Sequence, residues 1–102
     1  MNGLVIEAAP DGRVRVGGEL GFATVTSALA GTEPLFDAGE GTLVFDLSGV
    51  ERADSAGLAL LIEWMRRARR AGRAVRFLNL PPQMLEIARA ASLDRVLPLG
   101  RG

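Results

Sequence analysis

The 102-residue chain has twelve acidic and twelve basic residues, no histidine and no cysteine. Those counts exclude disulfides, thiol nucleophiles, zinc sites built on Cys or His, and imidazole acid–base chemistry; zero formal charge with 5% aromatics speaks against nucleic-acid binding and base stacking. At 48% hydrophobic, the chain suits one compact domain, expected over residues 1–102.

No apolar run approaches the roughly 18 residues that a membrane span needs, and the first residues lack a charged segment followed by a long apolar one. A cytoplasmic protein is expected. Every basic residue is arginine.

In chain order, residues 4–8 and 13–16 are short β-prone runs separated by A-P-D-G, whose Pro10, Asp11 and Gly12 favour a turn. They predict a β-hairpin, closed by Gly17 and Gly18. Phe22, Val25 and Leu29 predict a first helix over residues 22–30, ending near Gly31. Thr32, Glu33 and Pro34 read as a fresh helix start that adds a turn to Ala38, before a Gly39 to Gly41 loop.

The apolar run T-L-V-F at residues 42–45 reads as a buried strand ending at Leu47. A tight loop follows, and then the longest helix, from about Ser55 to Ala71, closed by Gly72. Asp54 or Ser55 can cap it, because a short side-chain oxygen accepts from the unpaired N–H groups of the first turn. Leu58, Leu61, Ile62, Met65 and Ala68 form the expected core stripe at 100° per residue. Leu60, Trp64 and Ala71 lie to one side, as either a docking ridge or a face packed on a neighbouring helix. Glu63, Arg66, Arg67 and Arg70 fill the wet face. A strand over residues 74–80 precedes a Pro81–Pro82 helix start carrying Met84, Leu85, Ala88 and Ala91, and Leu93, Val96 and Leu97 are expected to pack the chain end onto the domain. The order β-β-α-β-α-β-α predicts an α/β fold with a mixed sheet of about four strands.

The segment 46–61, D-L-S-G-V-E-R-A-D-S-A-G-L-A-L-L, resembles the signature of STAS domains, and G-E-L at residues 18–20 belongs to the same resemblance. Ala56 after the hydroxyl residue, the Arg-rich helix and N-L-P-P-Q-M-L-E-I-A-R-A-A-S-L-D-R-V-L-P from residue 79 make the chain most similar to the MlaB-like subunits of phospholipid-transporting ABC complexes, which maintain outer-membrane lipid asymmetry. The resemblance implies a non-catalytic regulatory or assembly subunit. Its partner would be the cytoplasmic ATPase (MlaF-like) and, through it, the membrane permease. It would sit at the cytoplasmic side of the inner membrane without inserting.

The docking surface expected on this reading comprises Asp54, Ser55, Ala56, Gly57, Leu60 and Trp64, with Arg67 at its rim. The alternative implied by the same family is an anti-sigma-factor antagonist, switched by a serine kinase that phosphorylates Ser55. Those antagonists more often show a second hydroxyl at the position of Ala56 and a small residue at that of Ala59. STAS domains commonly place Asp where this chain has Gly21, so a carboxylate thought to hold the motif loop is missing there unless Asp54 or Glu19 substitutes.

An enzyme is not expected. Asp46 and Asp54 are a conceivable acid–base pair, but no activated nucleophile, phosphate-cradling loop, metal set or cofactor pattern accompanies them. Gly49 and Gly57 are read as turn and close-approach residues.

Overall fold

The computed structural model describes residues 3–100; Met1, Asn2, Arg101 and Gly102 of the expected domain lie outside the described residues. Strands β1 (Leu4–Ala8) and β2 (Arg13–Leu20) lead to helix α1 (Val25–Asp37). Strand β3 (Leu43–Ala53), helix α2 (Ser55–Arg70), strand β4 (Val75–Leu78), helix α3 (Pro82–Ala90) and strand β5 (Leu99–Gly100) follow. The sheet has the spatial order β1-β2-β3-β4-β5, with β1 antiparallel to β2 and every later pair parallel. The α/β class and the mixed sheet are as expected; the strand count is five, because Phe77 and Leu78 find partners in Leu99 and Gly100 at the end of the chain.

Each parallel step in the same direction needs a crossover, and right-handed crossovers that all advance the same way put α1, α2 and α3 on one face of the sheet. α1 packs beside α2 and α2 beside α3. Beneath them the sheet contributes Val14, Val16, Leu43, Phe45, Leu47, Val75 and Phe77, all buried, whereas Val5, Arg15 and Arg76 on the other face meet water. The alternation of Val14 and Val16 with Arg13 and Arg15 anticipated this division.

Three boundaries differ from the sequence reading. Gly17 and Gly18 lie inside β2, and the residues read as a tight loop after Leu47 continue β3 to Ala53. The two strands remain paired from Gly17 opposite Gly49 to Leu20 opposite Ala53, with register shifts that give β3 two extra residues. Gly49 is therefore a strand residue facing Gly17. α1 is one helix through Gly31 and Pro34, because Ala28, Thr32 and Phe36 recur every fourth residue on its buried face. Phe22 falls outside it. Of the residues expected to pack the chain end, Val96 is 60% exposed, whereas Leu97 is buried as expected.

The largest departure is on α2. Leu60 and Trp64 are core residues, together with Gly57, Leu58, Leu61 and Ala68, while Ile62 and Met65 are half-buried. α2 is the middle helix, so its flanks as well as its base are covered. Trp64 is completely buried; its ring stacks on Phe45 with centroids 4.4 Å apart and planes 7° from parallel. Its Nε1–H donates to Thr32 Oγ1 at 2.8 Å, and that hydroxyl donates onward to the Ala28 carbonyl at 2.7 Å. An indole is seldom buried without a partner for its N–H, and here α1 supplies it.

Trp64→Ala is expected to lower the free energy of unfolding by about 3–5 kcal/mol, measured by urea denaturation followed by circular dichroism. Trp64→Phe, which retains a ring for Phe45 but loses the N–H, should cost less.

Candidate functional site

α2 begins where β3 ends, at Asp54, whose extended backbone and short carboxylate make it the N-cap. Oδ1 accepts from the N–H groups of Ala56 (2.8 Å) and Gly57 (3.2 Å), two of the donors that a helix start leaves unpaired. Ser55 is therefore the first helical residue rather than the cap. It is exposed, and its hydroxyl makes no hydrogen bond to any described residue.

The other oxygen of Asp54 reaches across to the turn between β2 and α1, where Oδ2 accepts from the Phe22 N–H at 3.2 Å. The turn is braced by the buried Thr24, whose hydroxyl donates to the Glu19 carbonyl at 2.9 Å and accepts from the Gly21 N–H at 3.1 Å. On this framework Phe22 is 82% exposed, with its backbone N–H held at the start of α2. Hydrogen bonding from Phe22, with those from Gly57 and Ala56, outweighs burial and holds the Asp54 carboxyl below its ordinary range.

Gly21 is explained by the same contact. A Cβ built there would lie 2.6 Å from Asp54 Oδ2 and 2.7 Å from its carboxyl carbon. The space that a side chain at position 21 would need is filled by the Asp54 carboxylate; Glu19 contributes its backbone carbonyl to Thr24. Gly57 is a close-approach residue, as expected: its Cβ would collide with the Leu20 carbonyl, so a larger residue would push α2 away from the end of β2.

Of the residues expected to form one surface, the fold brings Asp54, Ser55 and the half-buried Ala56 together. Gly57, Leu60 and Trp64 are removed from it by burial. Arg67 is twelve residues from Ser55, about 18 Å along the axis, where its Nε donates to Glu63 at 3.1 Å; it does not border the loop. Phe22 is an exposed aromatic on the loop tied to Asp54, and the sequence reading had placed it at the start of the first helix. The signal was present in Ala28, Thr32 and Phe36, whose spacing starts the buried face only after Thr24.

Asp46 lies inside β3 and Asp54 just past its end, eight residues on, a span of about 26 Å at 3.3 Å per residue and too far to act on one atom. Burial pushes the Asp46 carboxyl up, but hydrogen bonds from Ser48 and the Asn79 side chain, with the charge of Arg13, bring it below its ordinary value. Among the described residues, no group of His, Cys, Asp or Glu could hold a metal ion, and no helix is long and apolar enough to cross a membrane.

A family model described as "Mlab, STAS domain" matches residues 5–99. The chain belongs to the MlaB-type STAS family. No curated protein matches it significantly. Among solved structures, the STAS fold recurs in the anti-sigma factor antagonist SpoIIAA in its unphosphorylated form, at 19% identity and TM-score 0.73 over 97% of this chain and 87% of that one. An anti-sigma factor antagonist from Mycobacterium paratuberculosis superposes at TM-score 0.75 and 24% identity, covering 94% and 82%. The murine Solute Carrier 26 family member A9 anion transporter matches over 78% of this chain and 14% of its own length, at 22% identity and TM-score 0.58. At these identities the likenesses establish the fold of this MlaB-type chain and nothing finer.

Two predictions follow from the Asp54 geometry. Asp54→Ala should cost about 1 kcal/mol through loss of the cap. Because the folded pKa is depressed, that contribution is present above the ordinary value of 3.8 and disappears as pH falls through the lower folded value. Urea melts of both proteins should therefore differ at pH 7 and converge in strong acid. Gly21→Asp, although it introduces the residue that the resemblance leads one to expect, should destabilise the protein by displacing the Asp54 carboxylate from the Phe22 N–H, seen as faster amide exchange at Phe22.

Proposed function

We propose that this chain is a non-catalytic subunit that binds the cytoplasmic, MlaF-like ATPase of a phospholipid-transporting ABC complex, and through it the permease, on the cytoplasmic side of the inner membrane. The observation that carries the reading is the exposed Phe22, fastened by Asp54 beside the exposed Ser55. A large exposed aromatic on a loop whose backbone is pinned is the kind of residue that anchors a protein interface, since the loop itself loses little conformational freedom when a partner covers it. The docking surface is then Phe22, Asp54, Ser55 and Ala56, continued by Ala59 one turn along α2. Family membership supplies the kind of partner, and ATP hydrolysis belongs to that partner.

A second reading has its own support. The Ser55 hydroxyl is exposed, uncommitted and at a helix N-terminus, where a phosphate would meet the positive end of the helix dipole. On that reading the protein is an anti-sigma-factor antagonist whose partner kinase is released by Ser55 phosphorylation.

Tagged protein and its Ser55→Glu form, used as bait in detergent-solubilised lysate of the native host with mass-spectrometric identification of captured proteins, separate the two. Recovery of an ABC ATPase with its permease, lost in the Glu form, supports the transporter subunit; recovery of a small serine kinase and a phosphate on Ser55 supports the switch. Phe22→Ala, with an unchanged melting temperature, should weaken ATPase binding by about 2 kcal/mol or more. Unaltered affinity in both variants would remove this surface from consideration.

A further inference from the structure

The wet side of α2 continues well past Ser55. At about 100° per residue, Ala59, Ile62, Arg66 and Arg69 follow Ser55 along one side of the helix, with Arg70 adjacent. All are exposed except the half-buried Ile62. Ser55 and Arg66 lie three turns apart, about 16 Å along the axis, and face the same way. The first half of this stripe is small and apolar, and the second half is cationic.

Between residues 63 and 70 there are four arginines and one glutamate, a local charge of +3. Glu63 Oε2 takes Arg67 at 3.1 Å and Arg70 at 3.3 Å, and Oε1 lies 3.7 Å from Arg66. One carboxylate is thus shared among three guanidiniums, and Arg69 has no ion pair among the described residues. On the flank towards α1, Glu33 and Asp37 border a recess with Arg67 and Arg70 without forming ion pairs. The dipole at the helix C-terminus favours cations in the last turn, but it does not account for Arg66 and Arg69 standing in line with Ser55. The Arg66 side chain is 71% exposed and that of Arg70 70%.

We propose that Arg66 and Arg69, with Arg70 beside them, form an electrostatic arm of the Ser55 docking surface, and that the protein partner carries a carboxylate-rich patch opposite the last turns of α2. This rests on the docking reading above and adds the partner's charge to it. The apolar end of the stripe, with Phe22, provides contact area; the cationic end steers the encounter and sets the direction in which the partner lies along α2. Guanidinium forks pair bidentately with carboxylates, and Glu63 holds two of them in place. Arg66 and Arg69 stand in line with Ser55 on one side of α2, so a protein seated on the Ser55 end meets them next, which favours a protein over a lipid surface as the occupant. Steering of this kind raises association rates by about 10- to 1,000-fold at low salt.

The test is stopped-flow association of the full chain with the purified ABC ATPase of the native host in 50 mM and in about 500 mM NaCl, a range over which steering is screened out. Wild type, the double variant Arg66→Glu/Arg69→Glu and Ser55→Glu are compared after circular dichroism confirms each fold. The expected result is a wild-type association rate that falls about tenfold or more with salt. In the double variant, whose local charge is reversed in sign, it should be slow at low salt and no slower, or faster, with added salt, with the dissociation rate little changed. A double variant that associates at the wild-type rate in both salts, while Ser55→Glu abolishes binding, overturns the proposal and leaves the docking reading standing. A wild-type protein with no affinity for the ATPase overturns both. Binding to phosphatidylglycerol vesicles that is lost in the double variant, with ATPase kinetics unaffected, overturns it in favour of a lipid surface.

Discussion

Trp64 joins three elements at one point: its ring lies flat on Phe45 of the central strand β3, its N–H is taken by Thr32 of α1, and its own backbone belongs to α2. A side chain of this size, completely buried, organises the positions around it. Thr32 can be buried in α1 because its hydroxyl accepts from the indole and donates to Ala28, so no polar atom is left unpaired there. The aromatic group extends to Phe36 and Phe77, whose rings flank Phe45 at centroid distances of 6.4 and 5.8 Å. With α1, α2 and the sheet locked together here, the start of α2 and the end of β2 are carried to a defined spacing at the other end of the helix.

At that end a single carboxylate does two tasks. Asp54 caps α2 with one oxygen and restrains the Phe22 turn with the other. Both tasks require the close approach that Gly21 and Gly57 permit, one by leaving room for the carboxylate and the other by letting the first turn of α2 rest against the Leu20 carbonyl. The result is a loop whose backbone is tied to the start of α2, with an exposed aromatic at Phe22 and an exposed hydroxyl at Ser55. The arginines three turns away extend that face with charge, so one helix offers both shape and field.

Much of the architecture was legible beforehand. The hairpin, the long helix and the alternation of strands with helices followed from turn residues and from a change of apolar period between strands and helices. The motif residues were legible too, but their roles were only partly so. Asp54 and Ser55 were equivalent as caps in the sequence, and backbone direction at the end of β3 settled the choice in favour of Asp54. Trp64 was ambiguous for a different reason. A helix wheel says which residues share a side; it does not say how many neighbours that helix has, and a middle helix buries a wider arc than one at an edge. Phe22 was misread because an apolar residue just before a helix looks the same whether it opens the buried face or precedes it.

By itself, the amino-acid sequence determined the element order as far as α3, the absence of thiol and imidazole chemistry, and the family resemblance carried by residues 46–61, since these depend on composition and local spacing. The tertiary structure alone decided which apolar residues reach solvent and which carboxylate governs the loop. Those outcomes depend on contacts 32 residues apart along the chain, Trp64 with Thr32 and Asp54 with Phe22. Local periodicity carries no information at that separation: only the packing of α1 against α2, and of β2 against β3, brings these partners within hydrogen-bonding distance.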